Sequence, residues 1–156
     1  MTPLGLGQVM DLSDYLREGG YSGFDTREFP RFPPGKLGAV LKQGVSEYQT
    51  KRYDRAVSSF AAALQMNPDS MVAARIYNAR AQSYIGTKEF KKAIADANEA
   101  IRLDPRLSVA YNTRGMAYGS MGDMTRALND FESAIRLDRN FAEARRNREI
   151  ALRYKK

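Results

Sequence analysis

Ala100-Ile101-Arg102-Leu103-Asp104 returns as Ala134-Ile135-Arg136-Leu137-Asp138, an offset of 34 residues. Tyr77-Asn78-Ala79-Arg80-Ala81 and Tyr111-Asn112-Thr113-Arg114-Gly115 keep the same spacing. Ala63-Leu64-Gln65-Met66-Asn67-Pro68 is a weaker copy, 37 residues ahead of Ala100. The three extra residues fit most simply at Met71-Val72-Ala73, where they lengthen a helix by nearly one turn. A fixed period of this length marks a supersecondary unit that buries its apolar face only by stacking on its neighbours.

Working outward from that stretch, each copy divides into two helices. Val109 to Met121 has few breakers, Gly122-Asp123 marks a turn, and Met124 to Leu137 resumes a helical period. The second copy breaks at Gly86-Thr87 and resumes at Phe90; the first breaks at Thr50 and resumes at Tyr53. Asp69-Ser70 and Asp104-Pro105 supply stop and cap chemistry between copies. No segment alternates apolar and polar residues over a strand's length, so the expectation is all-α. Small residues recur where helices approach closely: Gly44, Ala81 and Gly115, then Ala56, Ala93 and Ala127. Large ones recur as knobs: Tyr77 and Tyr111, Phe60 and Phe131, with Ala97 thinner between the last two.

This period, with its small–aromatic–Ala–Phe–Ala–Pro punctuation, resembles the tetratricopeptide repeat (TPR) family, and the wording of the copies resembles its bacterial members. Three repeats are expected at 37–70, 74–107 and 108–141, followed by a basic capping helix over 141–156. Gln43, Arg80 and Arg114 depart from the family's usual leucine, Glu47 from an aromatic, and Arg139 from a proline. The resemblance implies a right-handed superhelix of helix-turn-helix units. It also implies a concave face, lined by the first helix of each pair, that takes a peptide or protein segment. Carried over by position, the groove is expected to be lined by Leu41, Val45, Tyr48, Arg75, Asn78, Gln82, Asn112, Thr113, Met116, Arg146 and Asn147. Asn78 and Asn112 hold equivalent places, and an amide both donates to and accepts from an extended backbone. The alternative is that each bonds to a neighbouring helix or to water. Some TPR domains clamp the C-terminal carboxylate of Hsp70 or Hsp90 with basic and asparagine side chains. The matching positions here hold Leu41, Val45, Ala79, Val109 and Thr113, so that role is not expected.

Residues 1–36 do not follow the repeat. A short helix is expected over 11–18, closed by Gly19-Gly20, followed by a Pro-rich extended stretch with Tyr21, Phe24, Phe29 and Phe32. Aromatics at this density call for a docking surface, so the segment is expected to dock on the repeats, either along the groove or against the open N-terminal side of the first pair, as a cap or as a self-ligand that competes with partners.

Composition narrows the function. There is no cysteine and no histidine, which removes the usual thiolate nucleophile, near-neutral base and metal ligands. Gly5-Leu6-Gly7 lacks the third glycine of a dinucleotide loop, and Gly20-Tyr21-Ser22-Gly23 is followed by Phe24 rather than completing a nucleophile elbow. Asp96, Glu99 and Asp130 lie among cations at helical spacing and read as solvated carboxylates. The expectation is a non-catalytic scaffold or adaptor without cofactor or metal. The net charge of +7 is concentrated at the C-terminus, where residues 139–156 carry seven cations and two anions. The alternative function is therefore a basic module that meets an acidic partner, membrane headgroups or RNA through that helix. The repeat context makes nucleic acid the less expected of these. Self-association, through the N-terminal segment or an exposed repeat edge, is a further expectation. No apolar run reaches the roughly 20 residues that span a bilayer. The expected location is the cytoplasm, or the periplasm if a cleaved signal preceded Met1.

Overall fold

The computed structural model describes residues 29 and 31–155. Seven helices follow one another among them: α1 (Gly35–Gln49), α2 (Tyr53–Leu64), α3 (Ser70–Gly86), α4 (Phe90–Leu103), α5 (Ser108–Ser120), α6 (Met124–Leu137) and α7 (Ala142–Tyr154). No strand lies among the described residues. The helix expected over 11–18 falls outside them. Each helix packs on the next, and α5 also touches both α3 and α7. The protein is thus a stack of helix pairs, α1–α2, α3–α4 and α5–α6, closed by α7. The first helix begins at Gly35.

The turns inside the pairs share one backbone device. Lys51, Lys88 and Gly122 hold equivalent places, with φ of 60°, 62° and 85°. Glycine adopts this left-handed conformation freely, whereas a lysine there costs about 1 kcal/mol. Packing of the flanking helices therefore enforces the first two turns. Between pairs, Asp69 caps α3 by accepting from the Val72 backbone N–H at 2.9 Å. The helix it opens has 17 residues against 13 in α5.

The core is built from reciprocal sizes. A Cβ on Gly44 would stand 2.7 Å from Phe60 Cε1, and one on Gly115 would stand 2.7 Å from Phe131 Cε1. Both rings are buried, so the missing side chain on the first helix makes room for the ring on the second. The middle pair uses Ala81 and Ala97 at these places, both fully buried. Ala97→Phe alone is therefore expected to cost about 2–3 kcal/mol by overpacking. Adding Ala81→Gly is expected to recover at least about 1 kcal/mol. A urea double-mutant cycle checks this; additive effects would show that the two positions do not meet.

Asp96 and Asp130 correct the sequence expectation. They are buried rather than solvated, because each faces an arginine across its pair. Arg80 Nε and Nη2 donate to the two oxygens of Asp96 at 2.7 and 2.8 Å. Arg114 repeats this with Asp130 at 2.8 and 2.7 Å, and also donates to Asn98 of the preceding pair at 2.8 Å. Arg80 lies 5.6 Å from the Tyr77 ring centroid and 5.8 Å from that of Tyr84; Arg114 lies 5.6 Å from Tyr111. The departures from leucine at these positions are thus forked ion pairs stacked on tyrosines. The first pair has Gln43 and Ser59 at the same places, and Ser59 Oγ donates instead to buried Glu47 at 2.7 Å. Glu99 remains on the surface, paired with Arg102.

At the C-terminal end the pattern changes. Glu149 of α7 stands 34 residues after Gly115 and is exposed, and Leu152 beside it is 55 % exposed. The inner side of α7 is buried through Ala144, Asn147 and Ala151.

The candidate peptide groove

The first helices of the pairs, together with α7, bring equivalent positions into rows. One row is Gly38, Arg75, Val109 and Glu143; another is Leu41, Asn78, Asn112 and Arg146; a third is Val45, Gln82, Met116 and Ile150. Leu41, Val45 and Tyr48 are buried, in one cluster with Phe29, Ile76 and Ala79. Tyr48 meets Tyr53 edge to face, with centroids 5.3 Å apart. Met116 is buried with Ala81 and Ile85. Gln82, Thr113, Asn112, Asn78 and Asn147 are buried polar side chains, Arg75 is half-buried and Arg146 is exposed.

The buried polar groups form a ladder in which both amide atoms of Asn112 are paired and neither amide atom of Asn78 is, while Asn147 Oδ1 is also without a partner among the described residues. Asn147 Nδ2 donates to Asn112 Oδ1 at 3.0 Å, and Asn112 Nδ2 donates to Glu143 Oε1 at 3.2 Å. Gln82 Nε2 reaches the Thr113 hydroxyl at 3.5 Å, and that hydroxyl donates to the Val109 carbonyl at 2.9 Å. Asn112 thus bonds to a neighbouring helix, the alternative reading of its sequence. Asn78 holds the same place one repeat earlier, is fully buried, and has no hydrogen-bond partner for either amide atom among the described residues. The reason is in the register. The residues matching Glu143 and Asn147 one repeat back are Val109 and Thr113, which supply neither carboxylate nor amide.

One residue of this face was not assigned from sequence. Glu143 carried no signal except its 34-residue offset from Val109. Phe29, Phe32 and Pro33 lie against α1: Phe29 is buried and stacks on Phe32 at 5.7 Å, and Lys42 Nζ sits 5.8 Å from the Phe32 centroid. A Cβ on Gly38 would run into the Pro33 carbonyl. No group of three or more Asp, Glu, His or Cys among the described residues is arranged to hold a metal, and no described helix is long and apolar enough to cross a membrane.

Family models described as tetratricopeptide repeat match residues 41–107 and 108–141. The chain belongs to the tetratricopeptide repeat family. Solved TPR domains share its fold. The Sgt2 TPR domain from Aspergillus fumigatus is 25 % identical with a TM-score of 0.70, over 78 % of this chain and 80 % of that one. The first TPR domain of human RPAP3 is 24 % identical with a TM-score of 0.69, over 76 % and 91 %. The TPR2B domain of yeast Sti1, solved as a complex with pHsp70, is 24 % identical with a TM-score of 0.68, over 76 % and 95 %. No curated protein sequence matches the chain. The TPR positions Leu41, Val45, Ala79, Val109 and Thr113 are all buried, and none carries a charge or an amide.

Proposed function

We propose that this TPR protein is a non-catalytic scaffold or adaptor that holds an extended peptide segment in the groove formed by α1, α3, α5 and α7. The observation that carries the reading is Asn78. A buried amide without partners costs about 1–3 kcal/mol, and its equivalent Asn112 is saturated. An incoming backbone N–H and C=O would satisfy Asn78 as Asn147 and Glu143 satisfy Asn112. Apolar anchors would settle around Val45 and Met116, and Arg75 would meet a ligand carboxylate or carbonyl.

The two asparagines separate function from stability. Asn78→Leu is expected to raise stability by about 1 kcal/mol and to weaken partner capture from the native host about tenfold. Asn112→Leu is expected to lower stability by about 2 kcal/mol, because it strips partners from Asn147 and Glu143. Denaturant melts and quantitative pull-down check both, and capture unaffected by Asn78→Leu would move the binding site elsewhere. The first TPR of Spaghetti (RPAP3) was solved bound to the HSP90 peptide SRMEEVD. With Leu41, Val45, Ala79, Val109 and Thr113 at the clamp positions, that peptide is expected to bind this chain no tighter than about 1 mM. Calorimetry with SRMEEVD decides.

A further inference from the structure

We infer that the α1 end of the groove is an aromatic-anchor pocket, selective for peptides with two aromatic side chains three residues apart, and that Phe29 and Phe32 occupy it as an internal ligand. This inference rests on the groove reading above and deepens it by naming a ligand class. Three observations point the same way. Phe29 is only 7 % exposed, in the cluster that holds Leu41, Val45, Tyr48, Ile76 and Ala79 from α1 and α3. Phe32 stacks on Phe29 and lies under Lys42 Nζ, so the second ring has both an aromatic and a cationic contact. Gly38, at the row held by Arg75, Val109 and Glu143 in the later units, leaves space for the Pro33 carbonyl that any side chain would take.

Leu41, Val45 and Ala79 are buried and apolar. Their apolar character suits the ring that rests there. A core residue carried on a helix needs no such arrangement. A segment joined to α1 by a few residues meets the pocket at an effective concentration of millimolar order, so it fills the pocket without tight intrinsic affinity. A partner peptide must therefore offer the same pair of rings and displace them.

The probe is the synthetic peptide EFPRFPPG, residues 28–35 of the chain, added in trans to full-length protein. Wild type is expected to bind it about tenfold more weakly than the Phe29→Ala/Phe32→Ala variant, whose pocket is vacated. The same peptide with both phenylalanines replaced by alanine is expected to bind neither. Gly38→Ala keeps every aromatic and the pocket, favours helix in α1, and pushes residues 32–33 away. It is expected to bind the peptide more tightly than wild type, which keeps the test decisive if the double variant does not fold. Equal binding to wild type and variants would place the peptide elsewhere, and no binding to a folded variant would reduce Phe29 to a cap; either overturns the inference. Asn78→Leu separates the two proposals. Peptide binding with Asn78-insensitive capture sinks the groove reading alone, and the reverse sinks the aromatic pocket alone.

Discussion

Phe131→Ala is expected to cost about 4 kcal/mol and to lower the melting temperature by roughly 10 °C. The ring is 1 % exposed and rests on a helix that has no side chain at Gly115. Truncation leaves a cavity against the α5 main chain at Gly115, in the cluster that also holds Met116, Ala127 and Leu128. A glycine cannot reorient to fill it, and the backbones of α5 and α6 cannot close without breaking the Arg114–Asp130 fork. The cost therefore lies near the upper end for such truncations. Urea denaturation of the variant and wild type measures it. A loss below about 1 kcal/mol would mean that the third pair collapses freely around the ring, contrary to the reciprocal packing described here.

Asp130→Ala is expected to cost about 2–3 kcal/mol. Removing one partner of a buried ion pair leaves the other charge uncompensated, typically at 3–5 kcal/mol. The lower figure applies because the Arg114 side chain is 23 % exposed and can turn toward water. Its hydrogen bonds to Asp130 hold the guanidinium above its ordinary pKa, against the opposing pull of burial. Arg114→Leu/Asp130→Leu is expected to recover more than half of the loss, since neither charge is then stranded and the tyrosine beside them packs on leucine. A double-mutant cycle by thermal and urea unfolding tests this. Equal destabilisation by the single and double variants would show that packing, not charge, governs the site.

The fold was legible because the repeat writes the same residues at a 34-residue offset, as in Ala100–Asp104 and Ala134–Asp138. Helix limits followed from local chemistry at Asp69, Gly86 and Gly122. The forks were not legible. Arg80 and Asp96 are 16 residues apart across a turn, a distance that no single-helix spacing rule connects, and each looks like a surface charge on its own helix. Glu47 read as a departure from an aromatic, and its meaning required Ser59 on the next helix. The groove was half legible. Equivalent residues could be counted off along the repeat, but which amides are saturated depends on the register between α5 and α7. Asn112 and Asn78 look alike in sequence and differ only in what faces them. Phe29 was legible as an aromatic in need of a surface, and its place against α1 and α3 was not.

A stack of repeats is a short piece of a fibre that has no intrinsic length, since any pair can receive another on its open side. Head-to-tail contacts of that kind do not close on themselves and grow without limit. Glu149 is the charged member of its series along the repeat. It takes the register of Gly44, Ala81 and Gly115, the place where a following helix must come closest. Any phenylalanine delivered there would press its ring on a carboxylate, among the cations of α7. At the opposite end, Phe29, Phe32 and Pro33 lie against α1. The register that faces a ring inside the first and third pairs thus holds a carboxylate in α7, while rings lie against α1 at the other end.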